Sequence, residues 1–185
     1  MNQVRVIGGL WRSRLLRFPS GEGLRPTPDR VRETLFNWLG QDLSGKFCLD
    51  LFAGAGALGF EAASRGAAKV VLVDHAGKAA HALRKNIEAL GASGIVEVVA
   101  MDALEYLSFH ETSGQKRFDV VFMDPPYRQG WIQRLEPLLA GLLEPDAALY
   151  AEAEFPIAAL GSWKAMRQGR AGQVYFHLLH QEPSA

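Results

Sequence analysis

Two short segments carry residue types that could do chemistry on a nucleotide. The first runs Asp50-Leu51-Phe52-Ala53-Gly54-Ala55-Gly56-Ala57-Leu58-Gly59, a Gly-x-Gly-x-x-Gly pattern that closes an apolar run starting at Phe47. Glycines permit a tight turn and let the backbone approach a ligand closely, because Gly54 and Gly56 present no side chain. Twenty positions beyond Gly54, Asp74 ends a second apolar run, Val70–Val73. A carboxylate there can accept hydrogen bonds from a ribose diol, which predicts a ligand with an adenosine-like end.

The second segment is Phe118-Asp119-Val120-Val121-Phe122-Met123-Asp124-Pro125-Pro126-Tyr127. An apolar strand delivers Asp124, and Pro125 and Pro126 then hold the chain extended and rigid. Asp124 and the Pro125 carbonyl can both accept hydrogen bonds from one amino group, while Tyr127 offers a flat face on which a base stacks. The pair of motifs suits the exocyclic amine of a nucleobase presented to an electrophile. Taken alone, either has a plainer meaning: the glycine loop serves a nicotinamide cofactor equally well, and Asp-Pro-Pro-Tyr can be a strand-ending turn with a packed tyrosine.

The elements that must position these residues follow from periodicity. Strands are expected at 47–52, 70–74, 95–100 and 118–123, alternating with helices at 57–65 and 76–90 and a short helix opening at Asp102. That alternation predicts parallel βαβ units, a mostly parallel twisted sheet with helices on both faces, and ligands beyond the carboxyl ends of the strands. Asp50, Asp74, Asp102 and Asp124 all fall at or near those ends. Asp50 either reaches a ligand's amino group or orders the glycine loop. Asp102 can cap a helix, with Glu105 three positions on, or touch a cofactor beside Ala103, or do both. Upstream, short strands at Val4–Ile7 and Leu15–Phe18 make a hairpin. Thr27, Pro28 and Asp29 then open a helix, with Thr27 as the N-cap. Downstream, a helix over Trp131–Leu143, strands at Ala147–Ala153 and Gln173–His180, and a turn from Gly169 to Gly172 complete the pattern.

At 185 residues, with 48% hydrophobic and 22% charged residues, the chain suits one soluble domain (1–185), its first 25 residues forming the hairpin extension. It has no apolar run long enough for a membrane, and one cysteine, Cys48, which fits a small buried hydrophobe in a reducing cytoplasm. The five histidines show no metal-ligand spacing, so no metal is expected. Net charge is zero, yet residues 1–32 hold seven arginines against Glu22 and Asp29. Interleaved with aromatics, that basic end predicts a polyanionic partner, with Arg5, Trp11, Arg12, Arg14 and Arg17 as candidate RNA contacts.

Together the motifs resemble the class I S-adenosylmethionine-dependent methyltransferases. They are most similar to the bacterial RsmD family, which methylates the exocyclic N2 of a guanine in small-subunit (16S) ribosomal RNA. The resemblance rests on Val6–Arg12, on Leu24-Arg25-Pro26-Thr27-Pro28-Asp29-Arg30-Val31-Arg32 and the helix it opens, on Leu49–Ala67, and on Asp124–Tyr127, with a weaker match at Ala171–Val174. It implies a Rossmann-like fold, with S-adenosyl-L-methionine held by Arg25 and Thr27 at its methionine end, by Phe52–Gly56 around it, by Asp74 at the ribose and by Asp102 and Ala103 at the adenine. With no separate recognition domain, target choice is expected to rest on the basic N-terminal hairpin and on 16S RNA shaped by ribosomal proteins in an assembled or assembling subunit, and the chain is expected to be a monomer. Ala55 stands where a serine is common and Asp74 where a glutamate is frequent; the first removes a hydroxyl and the second shortens the reach. The same corner suits an adenine-N6 methyltransferase, and from another class a non-catalytic RNA-binding module. A dehydrogenase would use the glycine loop, but no residue set for hydride acceptance accompanies it.

Overall fold

The computed structural model describes residues 1–21 and 26–182. Apolar runs form strands β3 (Phe47–Asp50), β4 (Lys69–Val73), β5 (Val96–Val99) and β6 (Phe118–Met123). Helices α2 (Ala57–Ser64), α3 (Gly77–Leu90) and α4 (Ala103–Ser113) connect them as expected. Strand β7 (Leu143–Ala153) also runs parallel to β6, and the antiparallel β10 (Val174–Gln181), β9 (Trp163–Ala171) and β8 (Ala159–Leu160) extend the sheet. The order is β5-β4-β3-β6-β7-β10-β9-β8. It reverses direction between β3 and β6, the place where open α/β sheets leave a crevice.

Period-2 alternation assigns each strand residue to one of two cores. Cys48, Val70, Leu72, Val120, Phe122, Ala148 and Tyr150 face helices α1 (Asp29–Leu39), α2 and α3. Leu49, Val71, Val73, Val121, Met123 and Leu149 face α4 and the helical segment after β6. The N-terminal hairpin, β1 (Asn2–Arg5) with β2 (Leu15–Phe18), is a separate two-stranded sheet. Its Val4, Leu16 and Phe18 join the first core.

Four expectations about the elements need correction. Thr27 does not cap α1: the cap position is Pro28, without a side-chain bond, because the Thr27 hydroxyl is turned to Glu152. The helix expected over Trp131–Leu143 is broken into α5 (Trp131–Leu135), a 3-10 turn (Glu136–Leu138) and α6 (Leu139–Leu142), and Leu143 already belongs to β7. Pro137, lacking an N–H, sits in the break. Strand β9 is absent from the periodicity, since its burial does not alternate cleanly. Gly169 is therefore not in a turn; it pairs with Phe176, whose ring would collide with any Cβ there, and the turn is Gly172-Gln173. Among the described residues no helix is long and apolar enough to cross a membrane.

Candidate active site

The glycine loop leaves β3 and the Asp-Pro-Pro-Tyr corner leaves β6, its parallel neighbour, so both open at the same edge of the sheet. The Leu51 N–H donates to the Phe122 carbonyl at 3.0 Å, carrying the pairing to the last residues before each loop. Phe52 and Trp131 pack edge to face, 5.2 Å between centroids, and link the two loops at one side.

Within the glycine loop, Gly54 and Gly56 have φ of 52° and 77°, where a side chain strains the backbone. A Cβ at Gly56 would also come within 2.6 Å of Phe60 and 2.7 Å of Leu83. Ala53 and Ala55 are buried, and Ala53 N–H donates to the Val73 carbonyl at 2.9 Å, which ties the loop to β4. Asp74 holds it from the side: its carboxylate accepts from Gly54 N–H and from Ala76 N–H, each at 2.8 Å. Asp50 holds it from below. One carboxylate oxygen accepts from Gly59 N–H at 3.0 Å, inside the first turn of α2, where helix N–H groups lack partners. Of the two uses expected for Asp50, ordering the loop is therefore realised. Burial, reinforced by the nearby Asp74 charge, pushes its carboxyl up to about 7 against the pull of the hydrogen bonds from Gly59 and Phe52. Asp102 caps α4 through one oxygen, which accepts from Leu104 N–H at 2.8 Å and Glu105 N–H at 3.4 Å. Its other oxygen takes no hydrogen bond among the described residues, and Ala103 beside it is buried.

Asp124, Asp50 and Glu152 share one face of the sheet because each stands an even number of residues from Phe122, Cys48 and Tyr150 on their strands. Met123 pairs with Ala151, which sets Asp124 beside Glu152. Glu152 is the functional residue that the sequence reading misses; its signal is that it is the one charge in the apolar stretch Ala147–Ala153 of β7. It is 4% exposed and collects three hydroxyls: Tyr150 at 2.7 Å, Thr27 at 3.3 Å and Tyr127 at 3.3 Å. The Thr27 hydroxyl also lies beside Asp124 and opposes the rise of its pKa. Burial first, then the Glu152 and Asp50 charges, hold the Asp124 carboxyl well above the usual carboxylate range. Burial likewise raises Glu152, opposed by its three hydroxyl donors. Among the described residues no cation is bonded to either. Pro125 is buried, Pro126 is exposed, and the Tyr127 ring, 41% exposed, faces outward with its hydroxyl pinned to Glu152. Burial and the two carboxylates raise that hydroxyl's pKa. The Cys48 thiol, pushed up to about 12 chiefly by burial, is no nucleophile.

The basic hairpin behaves otherwise than expected. Trp11 is 7% exposed and lies in the first core, so it has no free ring for a base: the loop at Gly8-Gly9 folds it inward, with Trp11 N–H on Ser64 Oγ at 2.8 Å. Arg5 is exposed and bonded to Asp29 at 3.3 Å. Arg12, Arg14 and Arg17 are exposed, but Arg14 donates to the Ala89 carbonyl, Leu10 to the Ser64 carbonyl, and Arg17 N–H to Asn86. Those are the far ends of α2 and α3, so the hairpin tip sits at the opposite edge of the sheet from the glycine loop. Arg25 lies outside the described residues.

A family model described as conserved hypothetical protein 95 matches residues 4–180. Ribosomal RNA small subunit methyltransferase D of Haemophilus influenzae is 41% identical over 181 residues, covering 95% of this chain and 93% of its own. The protein of that name from Escherichia coli K12 is 42% identical over 186 residues, covering 97% and 91%. The solved structure of the putative methyltransferase yhhF from Escherichia coli superposes with a TM-score of 0.85 at 41% identity, over 99% of this chain and 100% of that one. With the fold, the glycine loop and the Asp-Pro-Pro-Tyr corner in agreement, the chain belongs to the RsmD family of class I methyltransferases.

Proposed function

We propose that this enzyme transfers the methyl group of S-adenosylmethionine to the exocyclic N2 of a guanine in 16S ribosomal RNA. It does so as a monomer, on RNA held in an assembled or assembling small subunit. The observation that carries the reading is the carboxylate corner at Asp124, backed by Glu152 and opening at the same sheet edge as the glycine loop. The names of the relatives, which specify small-subunit ribosomal RNA, support the substrate class.

The residues present fit the cofactor. Asp74 keeps acceptor capacity on both oxygens for ribose hydroxyls, each oxygen taking only one backbone N–H. The unused oxygen of Asp102 suits the adenine amino group, and Phe52 to Gly56 give a backbone path for the chain between them. When bound, S-adenosylmethionine supplies an electrophilic methyl: the guanine nitrogen's lone pair forms the new N–C bond as the S–C pair returns to sulfur.

The protein's own work is positioning and charge. Guanine N2 is a weak nucleophile because its lone pair is delocalised into the ring. Asp124 and the Pro125 carbonyl accept its two N–H bonds, which orients the nitrogen and favours a tetrahedral geometry with the lone pair aimed at the methyl. Two prolines keep these acceptors from moving. Tyr127 stacks on the extruded base, its ring held by the Glu152 bond. After transfer the nitrogen is positively charged and loses one proton to the Asp124 carboxylate, whose raised affinity for protons suits that step.

Mass analysis of the nucleosides released from 16S RNA tests this, after incubation with small subunits from cells lacking the enzyme. N2-methylguanosine is expected at one position. N6-methyladenosine would move the assignment to adenine chemistry, and equal rates on naked RNA and on subunits would remove the assembly requirement.

A further inference from the structure

Tyr127 has a second neighbourhood that the transfer step does not use. A cleft of about 650 Å³ opens beside it, lined by Tyr127, Arg128 and Glu154 on one side and by Arg170, Gln173 and Tyr175 on the other. Topology puts this cleft at the active-site edge: Tyr175 pairs with Ala153, at the carboxyl end of β7, and Arg170 pairs with Tyr175. The Arg170 guanidinium lies over the Tyr175 ring at 5.0 Å, and its Nε donates to the Gly172 carbonyl at 2.9 Å; among the described residues both terminal amino groups are left for other acceptors. Arg128 is exposed with φ of 61°, a left-handed conformation, and its N–H donates to the Glu154 carboxylate. Such strain at a non-glycine residue persists where surrounding bonds impose it. Glu154 is thus committed to the backbone, and two guanidiniums oppose its single charge. Strand β9 adds Arg167 and contains no acidic residue; Lys164, at its far end, is paired with Glu182.

Resting on the substrate reading above, we infer that this cleft, rather than the N-terminal hairpin, holds the single-stranded RNA flanking the target guanine. Arg128 and Arg170 meet phosphates, and Tyr175 offers its remaining ring surface to a neighbouring base. The chemistry is that of a stacking platform beside cationic forks, the usual recognition of unstacked RNA. It also accounts for target choice at the right edge, since the arginines of the hairpin tip, Arg12 and Arg14, lie across the sheet from Tyr127.

The test measures affinity for small subunits without turnover, by co-sedimentation in the presence of S-adenosylhomocysteine, for the wild type, Arg170→Ala, Arg170→Lys and Arg12→Ala. Arg170→Ala should weaken binding about tenfold and reduce the slope of log affinity against log salt by about 0.7 for each phosphate it no longer neutralises. Arg170→Lys should restore the slope but not the full affinity, and Arg12→Ala should leave both unaltered. S-adenosylmethionine affinity and thermal midpoint should not move, because Arg170 is exposed. Unchanged binding by Arg170→Ala, or a larger loss from Arg12→Ala, overturns the inference. A photoreactive residue at position 173 should cross-link to RNA next to the methylated base; cross-linking to a ribosomal protein instead also overturns it. If the wild type methylates no guanine while Arg170→Ala still loses subunit binding, the cleft stands and the choice of guanine falls.

Discussion

Two buried carboxylate clusters lie on the same face of this sheet, and they are built in opposite ways. At Glu61, fully buried on α2, the side chain accepts from Ile7 N–H at 2.8 Å and Gly8 N–H at 2.7 Å. It also pairs with the guanidiniums of Arg32 at 3.3 Å and Arg65 at 2.9 Å. Arg32 is itself 0% exposed and reaches the Thr27 carbonyl at 3.1 Å and Asp29 at 2.6 Å. Every charge there meets an opposite charge or a backbone dipole, which is what a buried ion needs if it is to serve only as a fastener. The result ties the hairpin, α1 and α2 together. At Asp124 and Glu152 two carboxylates meet three hydroxyls and, among the described residues, no cation. Their proton affinities rise because the hydroxyls offset only part of the lost water. A fold that satisfies one acidic cluster so fully and leaves the other hungry for N–H donors and protons marks the second as the place of chemistry.

The contrast breaks most visibly at Asp124. Asp124→Ala should lower turnover about a thousandfold, as loss of an oriented transition-state partner does, with S-adenosylmethionine affinity preserved by calorimetry. An undiminished rate would remove Asp124 from the mechanism. At the other cluster, Glu61→Gln should cost stability and not chemistry: about 3–5 kcal/mol in urea unfolding, because two guanidiniums lose their counter-charge in the interior. Turnover per folded molecule should hold. A stable Glu61→Gln protein would mean that the arginines find water, and that the cluster is not the fastener described. Finer than either is Glu152→Gln, which should be neutral or stabilising, since it deletes a buried carboxylate that pairs with no cation among the described residues. It should also move the acid limb of the rate profile. The Glu152 charge raises the Asp124 pKa, and transfer needs Asp124 ionised, so the wild-type rate falls at a pH above the ordinary carboxylate range. Removing that charge should shift the limb to lower pH by roughly one unit. A shift to higher pH, or none, would separate the two carboxylates electrostatically.

The amino-acid sequence by itself determined the strand-helix alternation, the glycine loop and the Asp-Pro-Pro-Tyr corner, because each is local. Period-2 burial, positive φ at Gly54 and Gly56, and proline rigidity act within a few residues of one another. It also carried the Asp102 cap, through a helix start that needs an acceptor. Tertiary structure alone decided four things. Pairing between β6 and β7 brought Glu152, 28 residues further along the chain, next to Asp124. The Thr27 hydroxyl left the helix it was expected to cap because that same carboxylate competes for it. Trp11 went into the core, and the tip arginines Arg12 and Arg14 went to the far edge, since helices α2 and α3 run back across the sheet from the site. Strand β9, whose polar residues conceal its pairing, brought Arg170 to Tyr127. In each case the deciding energy is an interaction between residues remote in sequence, and no local periodicity records it.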